Sequence, residues 1–195
     1  MKVLAVNGSP RKSGNTSLML RQLFDVLESH SLDCELVNLA GERVAGCGAC
    51  YGCFERKDRK CVKGNDIVNS CILKMLESDA IVLASPTYVA DITPELKALI
   101  DRACIVAKAN GDMFKRKVGA AVVAKRRGGA IHAFNSINHF FLIGQMIVPG
   151  SCYWNMGIGG MEMGDVKNDE EGLKTMDILG ENIAWLLKKI GSQES

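Results

Sequence analysis

Short apolar runs alternate with amphipathic segments along this chain, and the alternation limits the possible folds more than any other feature. The apolar runs occupy residues 3–6, 35–39, 80–84, 118–124 and 146–148. Between them, apolar residues recur at the three- and four-residue spacing of amphipathic helices. Brief apolar runs separated by helices predict parallel strands that are buried on both faces. We therefore expect an α/β fold, a doubly wound sheet of five parallel strands in the order 2-1-3-4-5 with helices on both faces.

The length and composition fit a single domain that spans residues 1–195. Hydrophobic residues make up 47% of the chain and charged residues 24%, as in ordinary globular domains. The net charge of +2 argues against nucleic acid as a partner, and no apolar stretch reaches the length of about 18 residues that spans a membrane. Because the chain shows no signal peptide, we expect a reducing, cytoplasmic environment, in which cysteines more often serve metal binding or catalysis than disulfides.

Two segments interrupt the alternation of strands and helices. A cysteine-rich loop insertion, residues 41–64, follows the second predicted strand, and a Gly-rich loop, residues 150–172, follows the fifth. Loops of this length in compact domains are usually functional or disordered. The second loop contains Tyr153 and Trp154 and several other apolar residues, so we expect a functional role or a subunit contact rather than disorder.

The insertion carries a compact cysteine motif. Cys47, Cys50, Cys53 and Cys61 follow the pattern C-x2-C-x2-C-x7-C, with glycines between them that free the backbone. This crowding favours a cubane iron–sulfur cluster, whose corner irons need closely spaced thiolates. Structural zinc, which usually takes two separated C-x2-C pairs, and free thiols or a redox disulfide are the alternatives. The other four cysteines occur singly in apolar surroundings, where we expect small buried side chains: Cys34, Cys71, Cys104 and Cys152.

A loop rich in short polar residues connects the first predicted strand to the first helix. Its candidate ligands are Ser9, Arg11, Asn15, Thr16 and Ser17. A helix start offers unpaired N–H groups and the positive end of a dipole, which suit a phosphate group. The loop lacks the motifs of nucleoside-triphosphate and dinucleotide sites, so a single phosphate monoester, as in FMN, fits better than ATP or NAD. The alternative is a simple turn with Asn15 or Thr16 as the N-cap.

Two further loops follow the third and fourth predicted strands. Their candidate cofactor contacts are Pro86, Thr87, Tyr88 and Val89 in the first loop, and Ala124, Lys125, Gly128 and Gly129 in the second. In the expected strand order, the first and third strands are neighbours at the switch point where ligands bind outside the carboxyl ends. Tyr88 is placed to pack on a flat ring, with backbone N–H groups near Thr87 and Gly128 at its polar rim. The alternative for Tyr88 alone is an ordinary surface aromatic residue.

Together these motifs resemble the iron–sulfur flavoproteins, a branch of the NAD(P)H-dependent FMN reductase group with a flavodoxin-like fold. The first loop is similar to that family's FMN phosphate loop, residues 85–88 to its isoalloxazine loop, and the four-cysteine motif to its cluster motif. The resemblance implies one FMN and one [4Fe–4S] cluster per subunit, a homodimer or dimer of dimers, and a low-potential electron donor. The basic run at residues 125–127 and the segment 153–155 depart from the family pattern.

The expected function is an electron relay between the cluster and FMN to a small acceptor, with a small molecule or a protein as the electron donor. The cysteine loop is expected to emerge near the phosphate loop or against a partner subunit. No catalytic side chain is predicted, because His30, His132 and His139 have no partners that suggest catalysis.

Two alternatives follow in order of preference. The first is an NAD(P)H-dependent FMN or quinone reductase without a cluster, in which NAD(P)H is the donor and Lys125, Arg126 and Arg127 bind its phosphates. The second is a thiol-based redox sensor or binding module, in which oxidation of the cysteine loop changes a partner interface without turnover.

Overall fold

A computed structural model describes residues 1–191 of the chain, so residues 192–195 of the predicted domain lie outside the described residues. The strands are β1 (Lys2–Asn7), β2 (Asp33–Asn38), β3 (Ala80–Pro86), β4 (Val118–Lys125) and β5 (Met156–Ile158). The helices are α1 (Asn15–Ser29), α2 (Gly52–Arg56), α3 (Val68–Glu77), α4 (Pro94–Ala109), α5 (Ala130–Ile143) and α6 (Glu170–Gly191), with a 3₁₀ helix at Asp165–Asn168 before α6.

The strands form one parallel sheet in the order β2-β1-β3-β4-β5, which confirms the predicted topology. The register aligns the carboxyl ends of the strands. Asn7 at the end of β1 pairs with Asn38 of β2 and Ala84 of β3, and Pro86 of β3 pairs with Ala124 of β4. The loops that follow β1, β3 and β4 therefore open at the same edge of the sheet.

Alternate residues of the central strands enter two separate cores, because successive side chains of a strand point to opposite faces. Leu4 and Val6 pack on the face that is covered by α3, α4 and α5. Val3 and Ala5 pack on the other face, which α1 and α6 cover. Within residues 1–191, no helix combines the length and the apolar character needed to cross a membrane.

The fifth strand lies ten residues later than the sequence predicts. The apolar run at 146–148 makes only an isolated bridge, in which Ile147 pairs with Val118 at the start of β4. Pro149 follows and has no N–H to continue the ladder, and the chain leaves the sheet. It returns as β5, whose Met156 pairs with Val123 near the end of β4. The predicted Gly-rich loop 150–172 therefore contains a strand, and residues 159–161 reach the carboxyl edge.

Candidate functional site

A cavity of about 260 Å³ opens at the carboxyl edge of the sheet. The loops that follow β1, β3, β4 and β5 form its wall. Nine of the residues predicted to bind a cofactor line it: Ser9, Arg11, Asn15, Thr16, Pro86, Thr87, Tyr88, Ala124 and Lys125. Arg126, predicted only in the alternative with NAD(P)H as the donor, lines it as well. The other five wall residues were not predicted: Pro10, Gly14, Gly159, Gly160 and Met161.

The start of α1 presents an uncapped helix end to this cavity. Gly14 is the N-cap residue, so no side chain accepts hydrogen bonds from the N–H groups of the first turn. The alternative in which Asn15 or Thr16 caps the turn is therefore wrong. Thr16 lines the cavity, and the guanidinium of Arg11, which donates to the carbonyl of Met161 at 3.3 Å, lies on the same wall. Free N–H donors, a positive dipole end and a cation together make a site for a phosphate group.

Hydrogen bonds to β3 and to the N-cap residue of α4 hold the β1–α1 loop in place. The N–H of Gly8 donates to the carbonyl of Ala84 at 2.8 Å, and the hydroxyl of Thr93 donates to the carbonyl of Gly8 at 2.8 Å. A Cβ atom at Gly8 would lie 2.8 Å from Cβ of Leu96, closer than carbon atoms pack. Only glycine allows the loop to approach α4 this closely.

Asn15 joins the start of α1 to the loop after β5. Its amide nitrogen donates to the carbonyls of Gly159 and Glu162, the latter at 2.8 Å, and its amide oxygen accepts from the N–H groups of Gly164 (2.8 Å) and Val166 (3.3 Å). The side chain is thus occupied by backbone partners. Asn15 lines the cavity as predicted, but its amide group shapes the wall instead of projecting a free donor into it.

The β3–α4 loop places an aromatic side chain at the cavity mouth. Thr87 fixes the loop, since its N–H donates to the carbonyl of Ala124 at 2.8 Å. Tyr88 and Asp91 close a tight turn through reciprocal backbone hydrogen bonds of 2.7 and 2.9 Å. Between them, Val89 and Ala90 have positive φ angles of 47° and 63°. A positive φ is strained for a β-branched residue such as Val89, and strain of this kind concentrates at functional sites.

Four of the predicted cofactor residues do not line the cavity. Ser17 lies behind the loop, where its hydroxyl donates to the carbonyl of Lys12 at 2.6 Å. Val89 is fully exposed, and Gly128 is exposed as well. Gly129 is the N-cap of α5 with φ 81°, and an added Cβ there would lie 3.0 Å from Ala90. These residues shape the neighbouring loops and do not reach the cavity wall.

Gly159 and Gly160 line the cavity but were not predicted from the sequence, and the reason is structural. They directly follow β5, and glycines after a strand in a parallel sheet are a signal of a binding loop. The apolar run predicts the fifth strand at 146–148, which puts the two glycines inside the predicted loop 150–172 instead of at a strand end.

The four motif cysteines line a second cavity, of about 80 Å³. Cys53 is buried, Cys61 is partly buried, and Cys47 and Cys50 are exposed. None of the chain's cysteines forms a disulfide. Within residues 1–191, no group of three His, Cys, Asp or Glu side chains is arranged to hold a single metal ion. The four residues surround a cavity without converging on one point.

The backbone of the cysteine loop is unusually constrained. Ala49, Tyr51, Lys57 and Arg59 all have positive φ angles, between 48° and 62°. An added Cβ at Gly52 would lie 2.8 Å from a methyl group of Val62. Residues in the left-handed region persist where the surrounding structure demands them, and they cluster at ligand sites.

The cysteine loop packs against α4, and its cavity is separate from the cavity beside the phosphate loop. Arg102, Ile105 and Val106 of α4 complete the wall of the cysteine cavity. No residue lines both cavities. The expectation that the cysteine loop emerges near the phosphate loop or against a partner subunit stays a prediction; within the single chain the two loops line separate cavities.

The remaining cysteines differ in their surroundings. Cys71 is buried, and burial raises the pKa of its thiol to about 11. Cys34 and Cys104 are half-buried, and burial raises the pKa of the Cys34 thiol to about 12. Cys152 is exposed, so the expectation of a buried side chain is wrong at this position. None of the four lines either cavity.

Solved structures establish the fold family. A crystal structure of RosB with the bound intermediate 8-demethyl-8-formylriboflavin-5'-phosphate is similar with a TM-score of 0.79 at 17% identity, over 100% of this chain and 82% of that chain. A flavodoxin from the domain Archaea is similar with a TM-score of 0.62 at 16% identity, over 96% of this chain and 99% of that chain. At these identities the similarity shows the fold alone, which is flavodoxin-like.

Sequence comparisons extend over most of the chain. A family model described as NADPH-dependent FMN reductase matches residues 1–160. An iron–sulfur flavoprotein of Methanocaldococcus jannaschii is 36% identical over 197 residues, covering 97% of this chain and 99% of the relative. An iron–sulfur flavoprotein of Methanosarcina thermophila is 31% identical over 192 residues, covering 97% of each chain. The chain therefore belongs to the NADPH-dependent FMN reductase family and, within it, to the iron–sulfur flavoproteins.

Proposed function

We propose that this chain is an FMN-dependent oxidoreductase that relays electrons between a [4Fe–4S] cluster and FMN to a small acceptor. The observation that carries the proposal is the cavity at the carboxyl edge, where an uncapped helix end and an aromatic loop meet. Family membership supplies the cofactor class. The four free cysteines around the second cavity support the cluster.

The residues of the first cavity fit FMN. The first turn of α1, with Thr16 and Arg11, offers donors and positive charge to a phosphate monoester. Tyr88 offers an aromatic face for the ring, and the backbone at Gly159 and Gly160 approaches without side chains. The carboxyl edge is also where flavodoxin-like folds bind their ligands, at the switch point between β1 and β3.

The residues of the second cavity fit a cluster better than the two alternatives. Structural zinc usually takes two separated C-x2-C pairs, whereas three of the four cysteines here are crowded into seven residues. All four thiols are free to bind a ligand. Four cysteines spread around a cavity suit a body of several iron and sulfide ions, each corner iron taking one thiolate.

When bound, FMN exchanges one or two electrons and the cluster exchanges one, while the protein supplies their position and electrostatics. Helix α4 connects the two cavities. Its N-cap, Thr93, contacts the phosphate loop through Gly8, and Arg102 contacts the cysteine loop. At 1.5 Å per residue these two contacts lie about 14 Å apart along the helix. Helix α4 thus contacts both loops within one chain.

The proposal is tested on protein prepared without oxygen. We expect about four irons, four acid-labile sulfides and one FMN per chain. Cys50→Ser should lose the iron and sulfide and keep the FMN, because Cys50 lines only the second cavity. The matched control is Cys152→Ser, an exposed cysteine outside both cavities, which should keep all three.

The relay is tested by stopped-flow reduction, with separate absorbance changes for cluster and flavin. In the wild-type protein, a one-electron reductant should reduce the flavin faster than in Cys50→Ser. An unchanged rate of flavin reduction in Cys50→Ser would mean that the donor reaches FMN without the cluster.

A second candidate is direct reduction of FMN by NAD(P)H, favoured by the basic loop after β4. Lys125 and Arg126 line the FMN cavity, and neither they nor Arg127 form a salt bridge within residues 1–191. Unpaired cations at a cavity mouth suit the phosphates of a dinucleotide. If NADPH is the donor, it should bleach bound FMN anaerobically, and Arg126→Gln should raise the NADPH concentration needed. No bleaching by NADPH or NADH would remove this candidate.

We also propose a homodimer or dimer of dimers that exchanges electrons with a small-molecule or protein partner. Exposed apolar residues support a contact between copies, among them Leu142, Ile143, Tyr153 and Trp154. Light scattering on the cofactor-loaded protein tests the assembly, and a monomer at all concentrations would contradict it.

A further inference from the structure

Among residues 1–191, the most deeply buried charge lies beside the cysteine cavity. Arg102, on α4, is 1% exposed, and its side chain is completely covered. Burying a guanidinium is costly unless its donors are all paired and its charge is balanced. Such a residue needs a reason beyond packing, since an apolar side chain of similar size would fill the same volume at lower cost.

The partners of Arg102 lie at both ends of the cysteine loop. One terminal nitrogen donates to a carboxylate oxygen of Asp66 and to the carbonyl of Ala45 at 3.0 Å. The other donates to the carbonyl of Lys63 at 2.5 Å. Nε donates to the Sγ atom of Cys61 at 3.2 Å. One side chain therefore ties the beginning and the end of this loop to α4.

The contact with Cys61 differs in kind from the other three. Asp66 already balances the charge of Arg102, and the two carbonyls bind the terminal nitrogens. Nε–H alone is directed at the sulfur of a motif cysteine, inside the wall of its cavity. Hydrogen bonds and positive charge at ligand sulfurs stabilise the more negative, reduced form of an iron–sulfur cluster and raise its reduction potential.

We infer that Arg102 is a positioning residue for the cluster: it fixes the Cys61 sulfur on the cavity wall and, through the Nε–H contact, raises the reduction potential of the cluster. This inference rests on the proposed function, because it assumes that the four cysteines bind a cluster. Arg102 transfers no electron and bonds to no iron. It acts through Cys61.

The test compares Arg102→Lys and Asp66→Asn with the wild-type protein, each reconstituted with iron and sulfide. Arg102→Lys keeps the charge and loses the planar Nε donor, so we expect a lower cluster potential. We also expect the cluster to be lost to a chelator about 10–100-fold faster, the usual effect of removing a contact to a metal ligand. The potential of FMN in the same sample is the internal control and should not move, because Arg102 does not line the FMN cavity.

Asp66→Asn separates this role from a purely structural one. It breaks the buried ion pair but leaves the contact between Nε and Cys61. We expect Asp66→Asn to unfold more easily, with a cluster potential above that of the wild type, because a nearby negative charge is lost. Because Nε stays on Cys61 in this variant, Asp66→Asn should lose its cluster to the chelator no faster than the wild type, and this arm still decides the question if Arg102→Lys does not fold. Cluster loss from Asp66→Asn that is about 10–100-fold faster would show that the ion pair alone holds the site, and it would overturn the role of the Nε contact.

The two hypotheses fail in different ways. An iron-loaded wild type whose potential and chelator resistance are unchanged in Arg102→Lys would overturn the role of Arg102 alone. A wild-type protein that takes up no iron or sulfide would overturn the cluster itself, and the role of Arg102 with it.

Discussion

At the scale of single residues, Gly8 decides how closely the β1–α1 loop approaches β3 and α4. Gly8 contacts β3 through its N–H and α4 through its carbonyl. A Cβ at this position would lie 2.8 Å from Leu96 and 2.8 Å from the hydroxyl of Thr93. Neither of these atoms is the free end of a flexible chain, so the loop itself would have to move.

Gly8→Ala should therefore destabilise the protein by about 1–3 kcal/mol, the usual cost of overpacking, and should weaken FMN binding because the start of α1 shifts. Gly150→Ala is the control, since nothing lies within 4 Å of an added Cβ there, and it should stay within about 0.5 kcal/mol of the wild type. Chemical denaturation and FMN titration measure the two effects. Equal stabilities for the two variants would contradict the close approach at Gly8.

The buried pair of Asp66 and Arg102 gives the apoprotein a stability that depends on pH. Burial alone would raise the pKa of Asp66. The hydrogen bond and charge of Arg102, with hydrogen bonds from the backbone N–H groups of Ala45 and Val68, outweigh it and hold the pKa below its ordinary value of 3.8. Because the pKa is lowered in the folded state, the stabilisation is present above pH 3.8 and is lost as the pH falls below it.

Asp66→Asn should lack this part of the acid response. At neutral pH it should unfold about 3–5 kcal/mol more easily than the wild type, because Arg102 keeps a buried and unbalanced charge. The difference between the two proteins should shrink as the pH falls below 3.8. Urea denaturation of both proteins along a pH series measures it, and a difference that stays constant with pH would contradict the assignment.

At the scale of elements, hydrogen bonds between α1 and the loop after β5 complete the wall of the cavity proposed to bind FMN. Asn15 makes four hydrogen bonds to the backbone of residues 159–166. Asn15→Ala should cost roughly 2 kcal/mol, because each such bond contributes about 0.5–1.5 kcal/mol net and water replaces some of them. Hydrogen exchange at residues 159–166 should rise, and FMN should bind more weakly.

The control for Asn15 is Asn182→Ala on α6, where an exposed amide donates a single hydrogen bond of 2.8 Å to the carbonyl of Gly150. It should leave exchange at residues 159–166 and FMN affinity unchanged. If Asn15→Ala behaves in the same way, the loop is held by other contacts.

Elements with a strong apolar period were predictable, and those that depend on distant contacts were not. The strands β1–β4 and the longer helices follow from burial patterns in their own sequence. Strand β5 has three residues, one of them Gly157, so the apolar run at 146–148 gave the stronger local signal. The sequence did not predict that Arg102 is buried, because a charged helix residue normally faces water. Its burial depends on Asp66, thirty-six positions earlier in the chain.

The whole molecule carries two cavities that share no wall residue and are connected by α4. Sites that share no wall residue should contribute to stability independently. Free FMN at about 100 times its dissociation constant stabilises a folded protein by about 2.7 kcal/mol. For a chain of this size, that corresponds to a rise of about 5–10 °C in melting temperature.

We expect the same rise in the cluster-loaded wild type and in Cys50→Ser, because no residue lines both cavities. Thr16→Val, which changes the wall of the FMN cavity, should reduce the rise and so shows that the assay detects this site. Thermal unfolding of each protein with and without FMN measures the effect. A smaller rise in Cys50→Ser than in the wild type would show that α4 transmits the state of the cysteine loop to the flavin cavity, and the two sites would then be coupled through Thr93 and Gly8.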